Sequence, residues 1–118
     1  MRPIIPVTLL YRHKLVQFEA LIDSGADYNI FHGDIAVYLG INLTHGSKRI
    51  IHGLGGDSVK GYEHSVRLKF REYIYQSTII FSNQLPENSL AVLGNQGFFD
   101  HFCVCFEYRH QSVTLSNR

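Results

Sequence analysis

The chain has 118 residues, which is enough for one domain with a buried core and too few for two. Hydrophobic residues make up 45% of it and charged residues 18%, a balance typical of a folded globular domain rather than a disordered chain. Lys and Arg total 11 and Asp and Glu total 10, so the net charge is +1. Because dedicated nucleic-acid-binding domains carry a clear basic excess, we expect no nucleic-acid partner.

Neither the N-terminal segment nor the cysteines favour secretion or a membrane. No apolar run approaches the roughly 20 residues that span a bilayer, and Pro3 and Pro6 interrupt the segment where a signal peptide would have its apolar core. Cys103 and Cys105 are two residues apart, a spacing that is poorly suited to a mutual disulfide on a strand. We therefore expect a reducing compartment, the cytoplasm.

The first half of the chain predicts two hairpins that flank one short helix. Ile4–Leu10 and Lys14–Ile22 form the first hairpin, and the second of these strands alternates apolar and polar residues, so it has one buried face. The spacing of apolar residues within Phe31–Leu43 predicts a short helix that a glycine stops. Lys48–Phe70 predicts a longer hairpin, and three glycines give its tip, Gly53–Ser58, a flexible backbone.

The second half predicts further strands separated by turns. Tyr73–Phe81 and Leu90–Leu93 are predicted strands on either side of a polar loop, and Gly97–Phe102 is predicted to form one helical turn. A final hairpin pairs Phe102–Tyr108 with Ser112–Leu115. The predicted fold class is mainly β, a closed or nearly closed barrel with one or two short helices.

The Asp-Ser-Gly sequence at Asp23–Gly25 is the main candidate for a functional site. As a bare tripeptide it is most often a surface turn, but here it directly follows the apolar strand residues Ala20–Ile22. A carboxylate at the end of a buried strand costs free energy unless it is hydrogen-bonded or used in chemistry. The neighbouring hydroxyl and glycine supply the loop hydrogen bonds and the close backbone approach that a ligand site needs.

Three segments of the chain, in order, match the motifs of one family. Ala20–Asp27 (Ala-Leu-Ile-Asp-Ser-Gly-Ala-Asp) resembles its active-site loop, and Ile51–Gly56 (Ile-His-Gly-Leu-Gly-Gly) resembles its glycine-rich flap tip. Ala91–Phe99 (Ala-Val-Leu-Gly-Asn-Gln-Gly-Phe-Phe) resembles a strand ending in glycine and the short helix after it. The family is the retropepsins, the single-domain aspartic proteases of retroviruses and their cellular relatives. Since the likeness spans residues 4–115, it implies one retropepsin-like aspartic protease domain over residues 1–118, with a barrel of the acid-protease type.

The resemblance implies a homodimer with endopeptidase activity. The family's reaction needs two facing aspartates and this chain holds one Asp-Ser-Gly, so each subunit supplies Asp23 at a two-fold axis. The two carboxylates share a proton. The ionised one takes a proton from the attacking water, and the protonated one stabilises the oxyanion and then protonates the leaving nitrogen. The implied substrate is an extended peptide or protein segment, and no metal or organic cofactor is involved.

The resemblance also implies roles for the residues around Asp23. Ser24 is implied to cross to the partner's loop and fix the two loops together. Gly25, Ala26 and Asp27 are implied substrate-binding residues, Gly25 through its carbonyl and Asp27 near the subsites that flank the cut. The flap is implied to close over the peptide and to contact it through backbone amides. Its implied substrate-binding residues are Gly53, Leu54, Gly55 and Gly56.

The sequence departs from the family's pattern after the third motif. Many members have Arg directly after the glycine that ends this strand, where this chain has Asn95. In those members the Arg pairs with the acidic residue that corresponds to Asp27. The tail after Gly94 is also longer than in retroviral proteases, so we expect different dimer contacts, with the hairpin Phe102–Leu115 as the candidate.

Two other interpretations remain open at the level of sequence. One is a catalytically weak or inactive relative, a dimerising peptide-binding or scaffold domain. The intact Asp23–Gly25 argues against it, whereas Asn95 leaves it open. The other is an unrelated small β-barrel with a chance Asp-Ser-Gly, which explains neither the glycine-rich tip nor the strand that ends at Gly94.

Overall fold

The described part of the chain is built almost entirely from β-strands. A computed structural model describes residues 3–54, 57–86, 88–107 and 112–117. The helical elements are α1 (Gly33–Leu39) and one turn of 3-10 helix (Leu43–His45). None of the helices in these ranges has the length and apolar character to cross a membrane. The strands are β1 (Ile4–Tyr11), β2 (Lys14–Ile22), β3 (Asn29–His32), β4 (Ser47–Leu54), β5 (Asp57–Phe70), β6 (Tyr73–Ser82), β7 (Ala91–Leu93), β8 (Phe102–Glu107) and β9 (Ser112–Asn117).

Six of these strands close into a barrel. They follow the order β1-β2-β7-β3-β6-β5, and β5 pairs back onto β1, while β4 extends outward from β5. Two of the pairings, β2 with β7 and β3 with β6, are parallel. Strands β8 and β9 form a separate two-stranded sheet. The predicted mainly β, closed barrel with a short helix is confirmed.

The first predicted hairpin is confirmed, with β1 and β2 in register from Ile4↔Leu21 to Tyr11↔Lys14. The alternation of apolar and polar residues in β2 predicts one buried face, and at its end Ala20 is fully buried whereas its neighbour Glu19 is exposed. Strand β2 ends at Ile22, and the Asp-Ser-Gly sequence follows directly.

The predicted helix is shorter than its segment. Phe31 belongs to strand β3, because it is fully buried and pairs with Phe81 of β6, and such long-range pairing outweighs local spacing. The glycine stop is confirmed: Gly40 caps α1 with a left-handed φ of 82°, and its N–H bonds to the carbonyl of Val37 at 3.0 Å.

The second predicted hairpin is also confirmed, but its strands extend further than expected. Gly53 and Leu54 complete β4, and Asp57 begins β5, so the tip is narrower than the predicted Gly53–Ser58. Gly55 and Gly56 lie outside the described residues. The base of this hairpin packs through Ile51 against a small buried cluster on the barrel wall.

The predicted helical turn at Gly97–Phe102 is wrong. Gly97 has a φ of 110°, which a right-handed helix excludes, and the segment forms consecutive turns. Two bonds with helical spacing remain, from the N–H groups of His101 and Phe102 to the carbonyl of Phe98 at 2.9 and 3.0 Å. Both phenylalanine rings are fully buried and pack against Phe70 in the core. This aromatic packing anchors the chain that leaves β7.

The final predicted hairpin is confirmed as β8 and β9, paired from Phe102↔Asn117 to Glu107↔Ser112. Strand β9 runs two residues past the predicted end at Leu115. The predicted strand residue Tyr108 lies outside the described residues. Cys103, on β8, is an exposed free thiol.

Candidate active site

Asp23 lies where the chain leaves β2. Its backbone N–H donates to the carbonyl of Leu93 at 3.0 Å, so the residue is held beside the end of the neighbouring parallel strand β7. Its carboxylate is exposed, and Oδ1 accepts a hydrogen bond of 2.9 Å from the N–H of Gly25. Oδ2 has no hydrogen-bond partner among the described residues, so this oxygen is available to a ligand.

The tightness of this turn explains why residue 25 is a glycine. A Cβ at Gly25 would lie 3.2 Å from Oδ1 of Asp23, closer than side-chain carbons normally approach. A larger residue would therefore crowd the carboxylate that the turn holds. The N–H of Ala26 closes the turn on the carbonyl of Asp23 at 3.1 Å.

The segment that follows β7 braces this loop from outside the barrel. The N–H of Asn95 donates to the carbonyl of Ala26 at 2.9 Å, and the N–H of Gln96 donates to the carbonyl of Asp27 at 2.9 Å. The side-chain amide of Asn95 adds a third bond, of 3.1 Å, to the carbonyl of Ser24. Two residues thus hold three carbonyl groups of the loop, those of Ser24, Ala26 and Asp27.

Gly94 allows the two segments to approach this closely. A Cβ there would lie 2.5 Å from the carbonyl oxygen of Tyr28 and 2.6 Å from that of Ala26. Both contacts are with backbone atoms, which cannot swing aside as a flexible side chain can. The glycine that ends the hydrophobic strand β7 is therefore required by the fold of the site.

A buried polar network supports the loop from inside the barrel. The amide of Asn29 is fully buried; its oxygen accepts from the N–H of Gly94 and its nitrogen donates to the hydroxyl of Ser77, both at 2.9 Å. Ser77 in turn donates to the carbonyl of Gly97 at 2.9 Å, and the hydroxyl of Tyr75 donates to the same oxygen at 2.9 Å. Each buried polar group is paired, so the network adds no unsatisfied group.

The phenol of Tyr75 belongs to the same buried network. Burial raises the pKa of its phenol well above the ordinary value, and the negative charge of nearby Asp100 adds to the effect. The ring stacks on His101 at 4.0 Å between centroids. Tyr75 therefore remains a neutral hydrogen-bond donor to Gly97 throughout the neutral pH range.

A cleft of about 270 Å³ connects the loop with the base of the long hairpin. Two larger depressions, each of about 390 Å³, lie on the outer surface of the barrel and are lined by no residue of the Asp23 loop. The cleft has carboxylates on one side and apolar side chains with one imidazole on the other. Its lining residues are Asp23, Gly25, Ala26, Asp27, Tyr28, Ile30, Ile50, Ile51 and His52.

The base of the long hairpin is clamped to the barrel at Lys60. Its N–H donates to Oε1 of Gln84 and its carbonyl accepts from the hydroxyl of Ser82, both at 2.6 Å. Strand β5 pairs with β6 from Tyr62 onward, so Lys60 stands where β5 leaves the barrel. Beyond this clamp, β5 is paired with β4 alone in the described part of the chain.

Comparison with known proteins identifies this architecture. A scan against protein-family models and a search of curated proteins give no match. Among solved structures, the EIAV protease complexed with the inhibitor HBY-793 is similar over 80% of this chain and 83% of that one, with 21% sequence identity and a TM-score of 0.60. The retroviral protease-like domain of Ddi1 from Leishmania major is similar over 99% of this chain and 90% of that one, with 17% identity and a TM-score of 0.63. The chain has the retropepsin-like fold.

The retropepsin-like fold confirms the resemblance found in the sequence. In architecture the chain is an aspartic protease-like domain. The described structure brings four predicted site residues into one cleft, namely Asp23, Gly25, Ala26 and Asp27. Ser24 is exposed beside them.

The departure from the family's pattern at Asn95 can be followed in the structure. The carboxylate of Asp27 is exposed and has no ion pair or hydrogen bond with any described residue. Asn95, where the family often has Arg, bonds instead to the backbone of the same loop at Ser24. Among the described residues, neutral hydrogen bonds therefore brace the loop.

Several supporting residues were not predicted from the sequence. Asn29 stands next to the apolar pair Ile30 and Phe31, and a lone polar residue beside an apolar pair is the signal that could have identified it. Ser82 and Gln84 had no such signal, because a polar residue at the end of a strand or just after it is ordinary.

Proposed function

We propose that this chain is a homodimeric aspartic endopeptidase that hydrolyses peptide bonds in extended polypeptide segments. The observation that carries the proposal is the position of Asp23, an exposed carboxylate at the end of a buried strand, with one oxygen fixed by Gly25, on a cleft beneath the long hairpin. The retropepsin-like fold supports the same assignment. Residues 1–118 supply one such domain to each subunit.

The proposed dimer follows from the chemistry. Activation of a water between two carboxylates needs two aspartates, and the chain holds one Asp-Ser-Gly, so each subunit contributes its own Asp23. Ser24 crosses to the loop of the partner subunit. The separate sheet β8–β9 supports the proposal, because a two-stranded sheet is marginally stable alone and is stabilised when a second copy packs on it.

The proposed reaction is the hydrolysis of one peptide bond by one water molecule. Ionised Asp23 takes one proton from the water while the water oxygen bonds to the scissile carbonyl carbon. Protonated Asp23 of the partner subunit donates a hydrogen bond to the carbonyl oxygen as negative charge develops there. The carbon–nitrogen bond then breaks as the nitrogen receives a proton from the carboxyl pair. The products are one new carboxyl group and one new amine.

The proposed substrate contacts lie around the cleft. The carbonyl of Gly25 accepts from the substrate backbone, and Ala26 and Asp27 bind its main chain on either side of the cut. Apolar cleft residues, among them Ile50 and Ile51, favour apolar side chains at the cut. Backbone amides of the flap close over the peptide, and the proposed flap contacts are Gly53, Leu54, Gly55 and Gly56.

The test is cleavage of a peptide library by the purified chain at several pH values. Asp23→Asn keeps an oxygen that can accept from Gly25 but removes the base, so we expect cleavage to disappear while the fold is retained. The matched control is Asp34→Asn, another exposed aspartate, on α1, which should cleave like the parent. Equal cleavage by Asp23→Asn and the parent would refute the proposal.

The same experiment addresses the inactive alternative, which is favoured by the carboxylate of Asp27, since no described residue pairs with it. If the chain binds library peptides but cleaves none of them at any pH, it is a peptide-binding or scaffold domain. In that case Asp23→Asn would bind the same peptides as the parent.

A further inference from the structure

We propose that Asn95 is a positioning residue, which sets the direction of the hydrogen bond that holds the carboxylate of Asp23. Its catalytic consequence rests on the proposed function, whereas its effect on the loop does not. Asn95 touches neither the cleft nor the carboxylate, so it acts through the backbone between them.

The argument depends on a single peptide group. The carbonyl of Ser24 and the N–H of Gly25 belong to the same planar peptide unit and point in opposite directions. The carbonyl accepts from the side-chain amide of Asn95 at 3.1 Å, and the N–H donates to Oδ1 of Asp23 at 2.9 Å. Rotation of this unit would break both bonds together. Asn95 therefore controls how the N–H is aimed at the carboxylate.

Asn95 is itself well fixed for this role. Its backbone N–H bonds to the carbonyl of Ala26 at 2.9 Å, and its carbonyl accepts from the N–H of Asp100 at 3.1 Å. The preceding residue, Gly94, is tied to the buried amide of Asn29. The short Asn side chain thus starts from a rigid backbone and reaches the Ser24 carbonyl with two rotatable bonds.

A neutral amide gives this brace a distinctive property. An amide does not titrate, and a neutral hydrogen bond is weakly affected by salt, unlike an exposed ion pair. The loop geometry around Asp23 is therefore set within one subunit and stays constant over the pH range in which a carboxylate pair changes its protonation.

The test compares Asn95→Ala and Asn95→Asp in the full chain, with Asn88→Asp as the control for adding a charge at an exposed asparagine. Asn95→Ala removes the donor, and Asn95→Asp at neutral pH places a carboxylate oxygen against the carbonyl of Ser24. We expect the amide of Gly25 to exchange about fivefold faster in Asn95→Ala and faster still in Asn95→Asp, as loss of one hydrogen bond implies. We expect kcat to fall while KM and Tm change little.

Acid provides the discriminating measurement. A carboxyl group ionises near pH 3.9, and when protonated it again carries a donor. The kcat of Asn95→Asp relative to the parent should therefore rise between pH 6 and pH 4, while the ratio for Asn95→Ala stays flat. A purely structural role would instead move Tm and kcat together in both variants, so that any recovery of kcat in acid would be matched by a recovery of Tm.

Two results would overturn the proposal: an unchanged exchange rate at Gly25 in both variants, or activity losses that match the loss of folded protein. If the parent cleaves no peptide, the proposed function fails, and the exchange rate at Gly25 still decides whether Asn95 positions the loop.

Discussion

The side-chain oxygen of Asn29 accepts a hydrogen bond of 2.9 Å from the backbone N–H of Gly94, 65 positions further along the chain. This bond joins the residue that begins β3 to the glycine that ends the β7 motif, and both partners are buried. The loop that carries Asp23 lies between β2 and β3. Its geometry is therefore determined by a contact in the interior as well as by those at the surface.

Replacement of Asn29 by Ala should strongly destabilise the fold. It would leave the N–H of Gly94 buried and unpaired and would open a cavity, which together cost about 2–4 kcal/mol in the free energy of unfolding. Ser77→Ala leaves Gly94 paired and should cost less. Urea denaturation measures both, and a cost below about 0.5 kcal/mol for Asn29→Ala would show that the network does not support the loop.

Gly94→Ala tests the close approach of the two segments. The new Cβ would meet the carbonyl oxygens of Tyr28 and Ala26 at 2.5 and 2.6 Å, so backbone must move, and we expect a loss of more than about 2 kcal/mol with reduced activity. Gly40→Ala is the matched control. It has a φ of 82° but nothing within 4 Å of the new Cβ, so it should cost about 1–2 kcal/mol and leave activity unchanged. Equal effects of the two substitutions on activity would contradict the steric argument.

Tyr75→Phe should change the dependence of stability on alkaline pH. Burial raises the pKa of Tyr75 in the folded state, so above about pH 10 the unfolded chain loses this proton first and unfolding becomes easier. At pH 7 the variant should be about 1 kcal/mol less stable, because the bond to Gly97 is lost. This difference should shrink between pH 9 and pH 11 in thermal or urea unfolding. A constant difference would show that Tyr75 ionises equally in both states.

The homodimer should be visible in the concentration dependence of activity. Because one Asp23 cannot complete the pair, specific activity should fall once the chain is diluted below the dimer dissociation constant. An excess of Asp23→Asn should also suppress the parent by forming mixed dimers, whereas an excess of Asp34→Asn should not. Full specific activity at the lowest assayable concentration would exclude the dimer.

Local patterns were sufficient to predict much of this fold. Alternation identified β2, and the glycine at position 40 identified the end of α1. Strand β3 was missed because Asn29, Ile30 and Phe31 are all buried, so the strand has no alternation, and its partners on β6 and β7 are distant in sequence. The predicted turn of helix failed because a backbone torsion at Gly97 is invisible in a residue pattern.

The candidate site also contains residues that could be predicted from the sequence and residues that could not. Asp23 and its neighbours could be predicted because the motif, the preceding strand and the turn are contiguous in the chain. The supports at Asn95 and Gln84 could not, since each acts through a backbone group that only the folded chain brings near. A family pattern drew attention to position 95, but not to the carbonyl of Ser24 that it bonds.

The span between Ser24 and Asn95, 71 positions, has a consequence for how the molecule is made. A growing chain releases the loop from the ribosome long before the segment that braces it, and the parallel pairing of β2 with β7 cannot form until that segment has emerged. During synthesis the carboxylate is thus present without its support. We expect the nascent chain to acquire a competent site only after the segment around Asn95 has been translated, which separates the synthesis of the loop from any cleavage that the site performs.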